Sequence, residues 1–335
     1  MRRRNFIAGT AAVPTLATLP TPVAAECGAE VVWKRLVPAP PAVPLLNGHT
    51  DTVPDIIGRL GAPIGLAIFT EGNHFPALLG GEIIEPFRAQ YAGLARENIV
   101  IVTLPQPVIV GMLIGGGIAV GNLTLEVSRA SGFYPDIVMG GAAPLTELRK
   151  AGIVAAEARV FARNRGLSLL VAAGNPLGVQ NFDDLTRPGI RIVMASDSEP
   201  GARRQYISAL EKLLGAAATK SILARETVSF PGRLGIQHRD VLQAIACGYA
   251  DVGIIFHHLA RYFAAAYPQL CAMIIVPGAE AYSSTIAMIS TIGPLRAPAA
   301  KAFAEFFFTV AREIYPRYGF AVLGEGEFGA PVTLG

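Results

Sequence analysis

The sequence predicts an α/β protein in which helix-flanked sheets are built twice over. From Leu66 onward, short apolar strands alternate with stretches of helical spacing, the pattern of mainly parallel sheets covered on both faces. The rhythm then restarts near Leu167, which suggests two lobes. The composition, 52% hydrophobic against 16% charged, supplies a large core for either one big domain or two lobes.

Each element has its own signal. Leu66–Phe69 is a short apolar strand, and the turn Thr70-Glu-Gly-Asn-His74 follows it. Leu78, Leu79, Ile83, Ile84, Phe87 and Tyr91 fall at helical spacing, predicting one helix over 76–91. A second strand runs from Asn98 to Leu104 and ends at Pro105-Gln106-Pro107, with a helix expected through Met112, Leu113 and Ile118. Pro135–Met139 is a third strand, and the helix from Pro144 stops at Gly152. In the second round, 167–172, 191–195, 251–256 and 284–290 read as strands. Helices are expected over 182–185, 200–214 and 239–247, and a long amphipathic one over 298–318, with Phe303, Phe306, Phe307 and Val310 inward.

The N-terminus carries a different message. Arg2-Arg3-Arg4-Asn5-Phe6 heads a short Ala- and Pro-rich run that ends at Val23-Ala24-Ala25. A basic head, an apolar middle and small residues at a cut site form an export signal, here of twin-arginine type, over residues 1–25. Pro14, Pro20 and Pro22 make it too broken to span a bilayer. The mature chain is therefore expected in the periplasm. Residues 26–62, with Pro38-Ala-Pro-Pro-Ala-Val-Pro44, read as an extension or linker. Loss of the signal removes three arginines and no acid, so Lys+Arg falls from 28 to 25 against 25 Asp+Glu. A near-neutral chain does not suit a nucleic-acid partner. Of Cys27, Cys247 and Cys271 one is left over from any single bond; a Cys247–Cys271 bond and buried free thiols both stand open. No zinc spacing and no cofactor signature occurs.

Several stretches together resemble the periplasmic solute-binding proteins of ABC importers, the molybdate-binding type in particular. They are Asp136-Ile-Val-Met-Gly-Gly141 with the helix and turn over 145–153, and Phe161–Arg165 leading to Leu170–Pro176. Phe182–Val193, Glu199-Pro-Gly201, Ala250–Ile255 and Tyr315–Phe320 complete the set, spread over 66–323. The resemblance implies two α/β lobes joined by two crossing strands, 63–163 plus 287–335 and 164–286. It further implies a small-molecule or ion ligand held in the cleft, an ABC permease in the inner membrane as partner, a monomer, no cofactor and no turnover.

By position, the resemblance places the ligand against Thr70, Gly72, Asn73 and His74 after the first strand and Gln106 after the second. Gly201 and Ala202 start one helix, His238 and Arg239 another, and His257 follows the later strand. Helix N-termini offer unsatisfied N–H groups and positive dipole ends, which suit an oxyanion such as molybdate or tungstate. Molybdate binders usually present hydroxyls on the two loops and a tyrosine after the later strand; this chain has Gly72-Asn73-His74, Pro105-Gln106 and Phe256. If the ligand were instead a transition metal, Glu71, His74, His238 and His257 are the candidate ligands. Arg203 and Arg204 read as a solvated helix face.

A rival reading comes from Gly48-His49-Thr50-Asp51, which looks like the metal-binding stretch of zinc-dependent amidohydrolases. Those enzymes also need a Glu-Glu pair, and no adjacent Glu-Glu occurs in the chain.

Overall fold

The computed structural model describes residues 55–335 except 60, 92, 94–97, 121, 122, 198, 232 and 234. The expected signal, most of the 26–62 extension and the His49–Asp51 stretch lie outside the described residues.

The strands are β1 (Asp55–Ile57), β2 (Leu66–Thr70), β3 (Ile99–Thr103), β4 (Gly117–Val120), β5 (Leu123–Glu126), β6 (Ile137–Gly141) and β7 (Glu157–Arg163). After these come β8 (Leu167–Ala172), β9 (Ile192–Val193), β10 (Val252–Phe256), β11 (Cys271–Ile275), β12 (Thr285–Ser290) and β13 (Pro331–Thr333). The helices are α1 (Phe75–Leu79), α2 (Ile84–Gln90), α3 (Gln106–Gly115), α4 (Ala142–Lys150), α5 (Pro200–Leu214), α6 (Ala216–Leu223), α7 (His238–Ala246), α8 (His257–Ala266) and α9 (Ala297–Arg317).

A seven-stranded sheet has the order β1-β3-β2-β6-β12-β7-β13, and a four-stranded sheet the order β11-β8-β10-β9. The chain crosses between them twice, from β7 to β8 and from β11 to β12. Asn164 and Ser284 clasp the two crossings: Asn164 Nδ2 donates to Ser284 Oγ at 2.7 Å, and Asn164 Oδ1 accepts the Ser284 N–H at 2.8 Å.

The two-lobed α/β architecture is as expected, but the sheets are mixed rather than mainly parallel. β2 runs parallel to β3 and β6, whereas β12 is antiparallel to both β6 and β7. In the smaller sheet β8 is antiparallel to β10 and β11, and only β9 and β10 are parallel. The crossings explain this. A strand that returns from the other half enters the sheet from the far end, so β12 lies against its neighbours head to tail.

β2 and β3 are buried throughout, and their side chains sort with the two-residue period of a strand. Leu66, Ile68, Ile99 and Ile101 face α9, whose Phe303 and Phe307 are fully buried. Ala67, Phe69, Val100 and Val102 face α3 and α4. Asp136, fully buried at the start of β6, ties this sheet to the start of α9. Its carboxylate accepts the Ala67 N–H at 2.9 Å, the Arg296 N–H at 3.0 Å and Arg296 Nε at 2.6 Å.

Several local expectations change. The single helix over 76–91 is two, α1 and α2, broken at Gly80-Gly81. Ile118 belongs to the β4–β5 hairpin, not to a helix. Residues 55–57, expected in a linker, form an edge strand antiparallel to β3. Cys271 is a free buried thiol and Cys247 is disulfide-bonded, so a bond between these two is ruled out. Among the described residues no helix is long and apolar enough to cross a membrane.

Candidate functional site

The strand ends of both sheets bring four segments to one cleft. They are the 72–74 turn after β2, the start of α3 after β3, and the starts of α5 and α7. A small cavity of about 30 Å³ lies where they meet, lined by Glu71, Gly72, Asn73, Gln106, Glu199, His238 and Arg239 among others. It has room for about two water molecules. A second cavity of about 790 Å³ shares Glu71, Asn73, Gln106, Glu199 and His238 and extends along α4 and α5.

Arg239 is 6% exposed and its Nη2 donates to Thr103 Oγ1 at 3.3 Å, so the halves touch at this point. A side chain at residue 72 would place its Cβ 3.1 Å from that same Nη2, which is why glycine fits the turn. Glu199 sits before α5 and reaches α7. Its carboxylate accepts the His238 N–H at 3.0 Å and holds His238 Nδ1 at 2.5 Å. His238 Nε2 pairs with Tyr206 Oη at 2.5 Å, and burial together with the nearby Glu199 charge raises the Tyr206 hydroxyl well above its usual pKa. The positive start of α7 is thus already met by an internal carboxylate. Asp240 accepts the Gln237 N–H at 3.0 Å in the same helix turn.

Of the expected site residues, Gly72, Asn73, Gln106, Gly201, Ala202, His238 and Arg239 line one cavity or the other. Thr70, His74 and His257 line neither. Thr70 is fully buried in β2. His74 is fully buried too: its Nε2 meets Glu71 Oε1 at 3.2 Å, and its ring stacks on Phe320 at 5.6 Å. His257 bonds Ser168 Oγ through Nδ1 at 2.9 Å, within the core of the smaller half. The physical reason is that β10 ends at Phe256 and α8 begins at once. The helical turn puts His258, not His257, toward the cleft.

His258 was not among the expected ligand contacts. It is 2% exposed, neither ring nitrogen has a hydrogen-bond partner, and it lines the larger cavity. Its ring lies between Phe320 at 4.3 Å and Phe256 at 5.7 Å, both near parallel. Burial, and then the nearby His74, His238 and His257, depress its pKa well below the ordinary value. Burial and then Arg165 and Arg261 lower His257 to about 4. Sequence reasoning also missed Glu147, Asn164, Arg204, Lys212 and Tyr282 on the cavity wall. Arg203 does not form a solvated face. It is largely buried and makes two hydrogen bonds to Glu226, at 2.6 and 2.9 Å. The N-cap of α5, Glu199, makes no side-chain cap bond.

The metal alternative finds no matching geometry. Both nitrogens of His238 are engaged, His74 Nε2 meets Glu71 and His257 Nδ1 meets Ser168 Oγ. Among the described residues no three His, Cys, Asp or Glu side chains gather in a way that could hold a metal ion.

Two α/β halves linked by two crossings set helix starts and strand-end loops around one cleft. The chain belongs to the bacterial extracellular solute-binding protein family, whose model matches residues 69–321. It is 28% identical over 137 residues to the molybdate-binding protein ModA of Mycobacterium tuberculosis, covering 41% of this chain and 47% of that protein. The match thus spans about half the length of these curated relatives. The fold is shared with the sulfate-binding protein SubI from Mycobacterium tuberculosis H37Rv: TM-score 0.58, 18% identity, covering 77% of this chain and 86% of that one. It is also shared with the substrate binding protein of the ABC transporter from Agrobacterium tumefaciens: TM-score 0.57, 11% identity, covering 82% and 87%.

Proposed function

We propose that this protein is an exported receptor that captures a small anionic solute in the cleft between its halves and delivers it to an ABC permease. The observation that carries this reading is the meeting of the 72–74 turn, Gln106, and the starts of α5 and α7 on one cleft. The α5 start, without a side-chain cap, supplies N–H donors and a positive dipole end. Closure of the halves about the 163–167 and 283–285 crossings would bury the solute, with lobe I taken as 63–163 plus 287–335 and lobe II as 164–286. The contacts proposed are Gly72, Asn73, Gln106, Gly201, Ala202, His238 and Arg239. Export through residues 1–25 to the periplasm, cleavage near Ala25, and action as a monomer belong to the same proposal.

Molybdate, tungstate and sulfate are the first ligands to test, because molybdate and sulfate are what the named relatives bind. Thermal unfolding with each salt, and with zinc, copper and nickel, checks the reading. Stabilisation by anions and not by the metals supports it. Stabilisation by metals alone would refute the anion receptor.

A further inference from the structure

The larger cavity is out of scale with a bare tetrahedral ion. Its volume of about 790 Å³ falls within the range of about 300–1,000 Å³ typical of sites for small organic molecules. The halves touch through Arg239 and Thr103 at the smaller cavity. The smaller cavity is the point nearest to an inorganic-ion site, and there Glu199 takes the α7 N–H group. An inorganic dianion placed there would meet two carboxylates, Glu71 and Glu199, against one guanidinium, Arg239.

The wall of the larger cavity combines two chemistries. Donors come from the starts of α4 and α5, neither of which has a side-chain cap. Gln106 Nε2 adds a buried donor with no hydrogen-bond partner. Apolar surface comes from Val110, Phe256, Tyr282 and Ile286. The charged groups on the wall are Glu71, Glu147 and Glu199 against Arg204 and Lys212, a balance that tolerates one added negative charge better than two. His258, buried and with both ring nitrogens unpartnered, opens onto this space.

We propose that the solute is an organic monoanion, a small molecule with one carboxylate on an apolar or aromatic body. The carboxylate sits at the α4 and α5 starts with Gln106 Nε2, and the body lies against Phe256, Tyr282 and Ile286. Neutral His258 offers one N–H donor and one acceptor, which suits a hydroxyl or amide on that body. The inference rests on the anion-receptor reading and narrows it.

Calorimetric titration of benzoate, 4-hydroxybenzoate, phenyl phosphate, molybdate and sulfate tests it. The expected result is that a benzoate binds at least tenfold more tightly than molybdate or sulfate. Tyr282→Ala should weaken that binding about tenfold. Tighter binding of molybdate or sulfate than of every organic probe overturns the inference and leaves the anion receptor standing. Phenyl phosphate outbinding both benzoates overturns the single-charge assignment. If none of the five binds, the receptor reading itself fails.

Discussion

Glu199 grips His238 twice, through the backbone N–H at 3.0 Å and through Nδ1 at 2.5 Å. An internal carboxylate thereby holds the helix start that the sequence offered to an external anion. A negative group placed near α7 would compete with Glu199 for that helix start.

Glu199→Gln keeps an acceptor for the His238 N–H and removes the charge. The affinity for sulfate and molybdate should rise at least tenfold, read by calorimetry. An unchanged or lower affinity would show that Glu199 does not screen the site.

Gly140 permits the Gln106 amide to lie where it does: a Cβ at residue 140 would come within 2.2 Å of Gln106 Nε2. Gly140→Ala should swing that side chain away and weaken solute binding about tenfold. The melting temperature should change little, since the atom displaced is the end of a flexible side chain. A variant that binds normally would remove Gln106 from the contacts.

Asp136 and Arg296 form a buried pair that closes β6 onto α9, with Arg296 also donating to the carbonyls of Gly132 and Tyr134. Asp136→Ala strands the guanidinium and should cost about 3–5 kcal/mol. Urea unfolding measures this; a loss under about 1 kcal/mol would contradict the assigned role.

Folded-state pKa values are depressed at His257, to about 4, and at His258, well below 6.5. The unfolded chain then takes up protons first as pH falls. Stability is intact above about pH 6.5 and declines toward pH 4, by about 1.4 kcal/mol per unit for each histidine. Melting temperatures across this window should fall, and His258→Phe should flatten the slope. A flat profile in the wild type would contradict the burial of these rings as neutral imidazoles.

Much of this was legible in the residues. Leu66–Thr70 and Ile99–Thr103 announce themselves by unbroken apolar runs, and Pro200-Gly201 marks a helix start. Strand direction was not legible, because hydrophobic periodicity is the same in parallel and antiparallel sheets. The crossing that brings Ser284 beside Asn164 decides it. At the site, Gly72, Gln106, Gly201 and Arg239 were found because their loops follow strand ends. His257 was chosen over His258 because it is the first residue after the strand, but a helix begins there, and one residue of helix rotates the side chain by about 100°. Arg204 and Lys212 carried no local signal, since cavity-lining and solvated cations look alike on an amphipathic helix.

Gly201 gives the most direct test of the whole account, because a Cβ added there meets no atom within 4 Å. Dissociation constants for molybdate, benzoate and phenyl phosphate should be compared between the wild type and Gly201→Asp. The account predicts that whichever anion the wild type binds is weakened at least tenfold by the new carboxylate at the α5 start. Equal affinity in the two proteins, or no anion bound by the wild type, would contradict it.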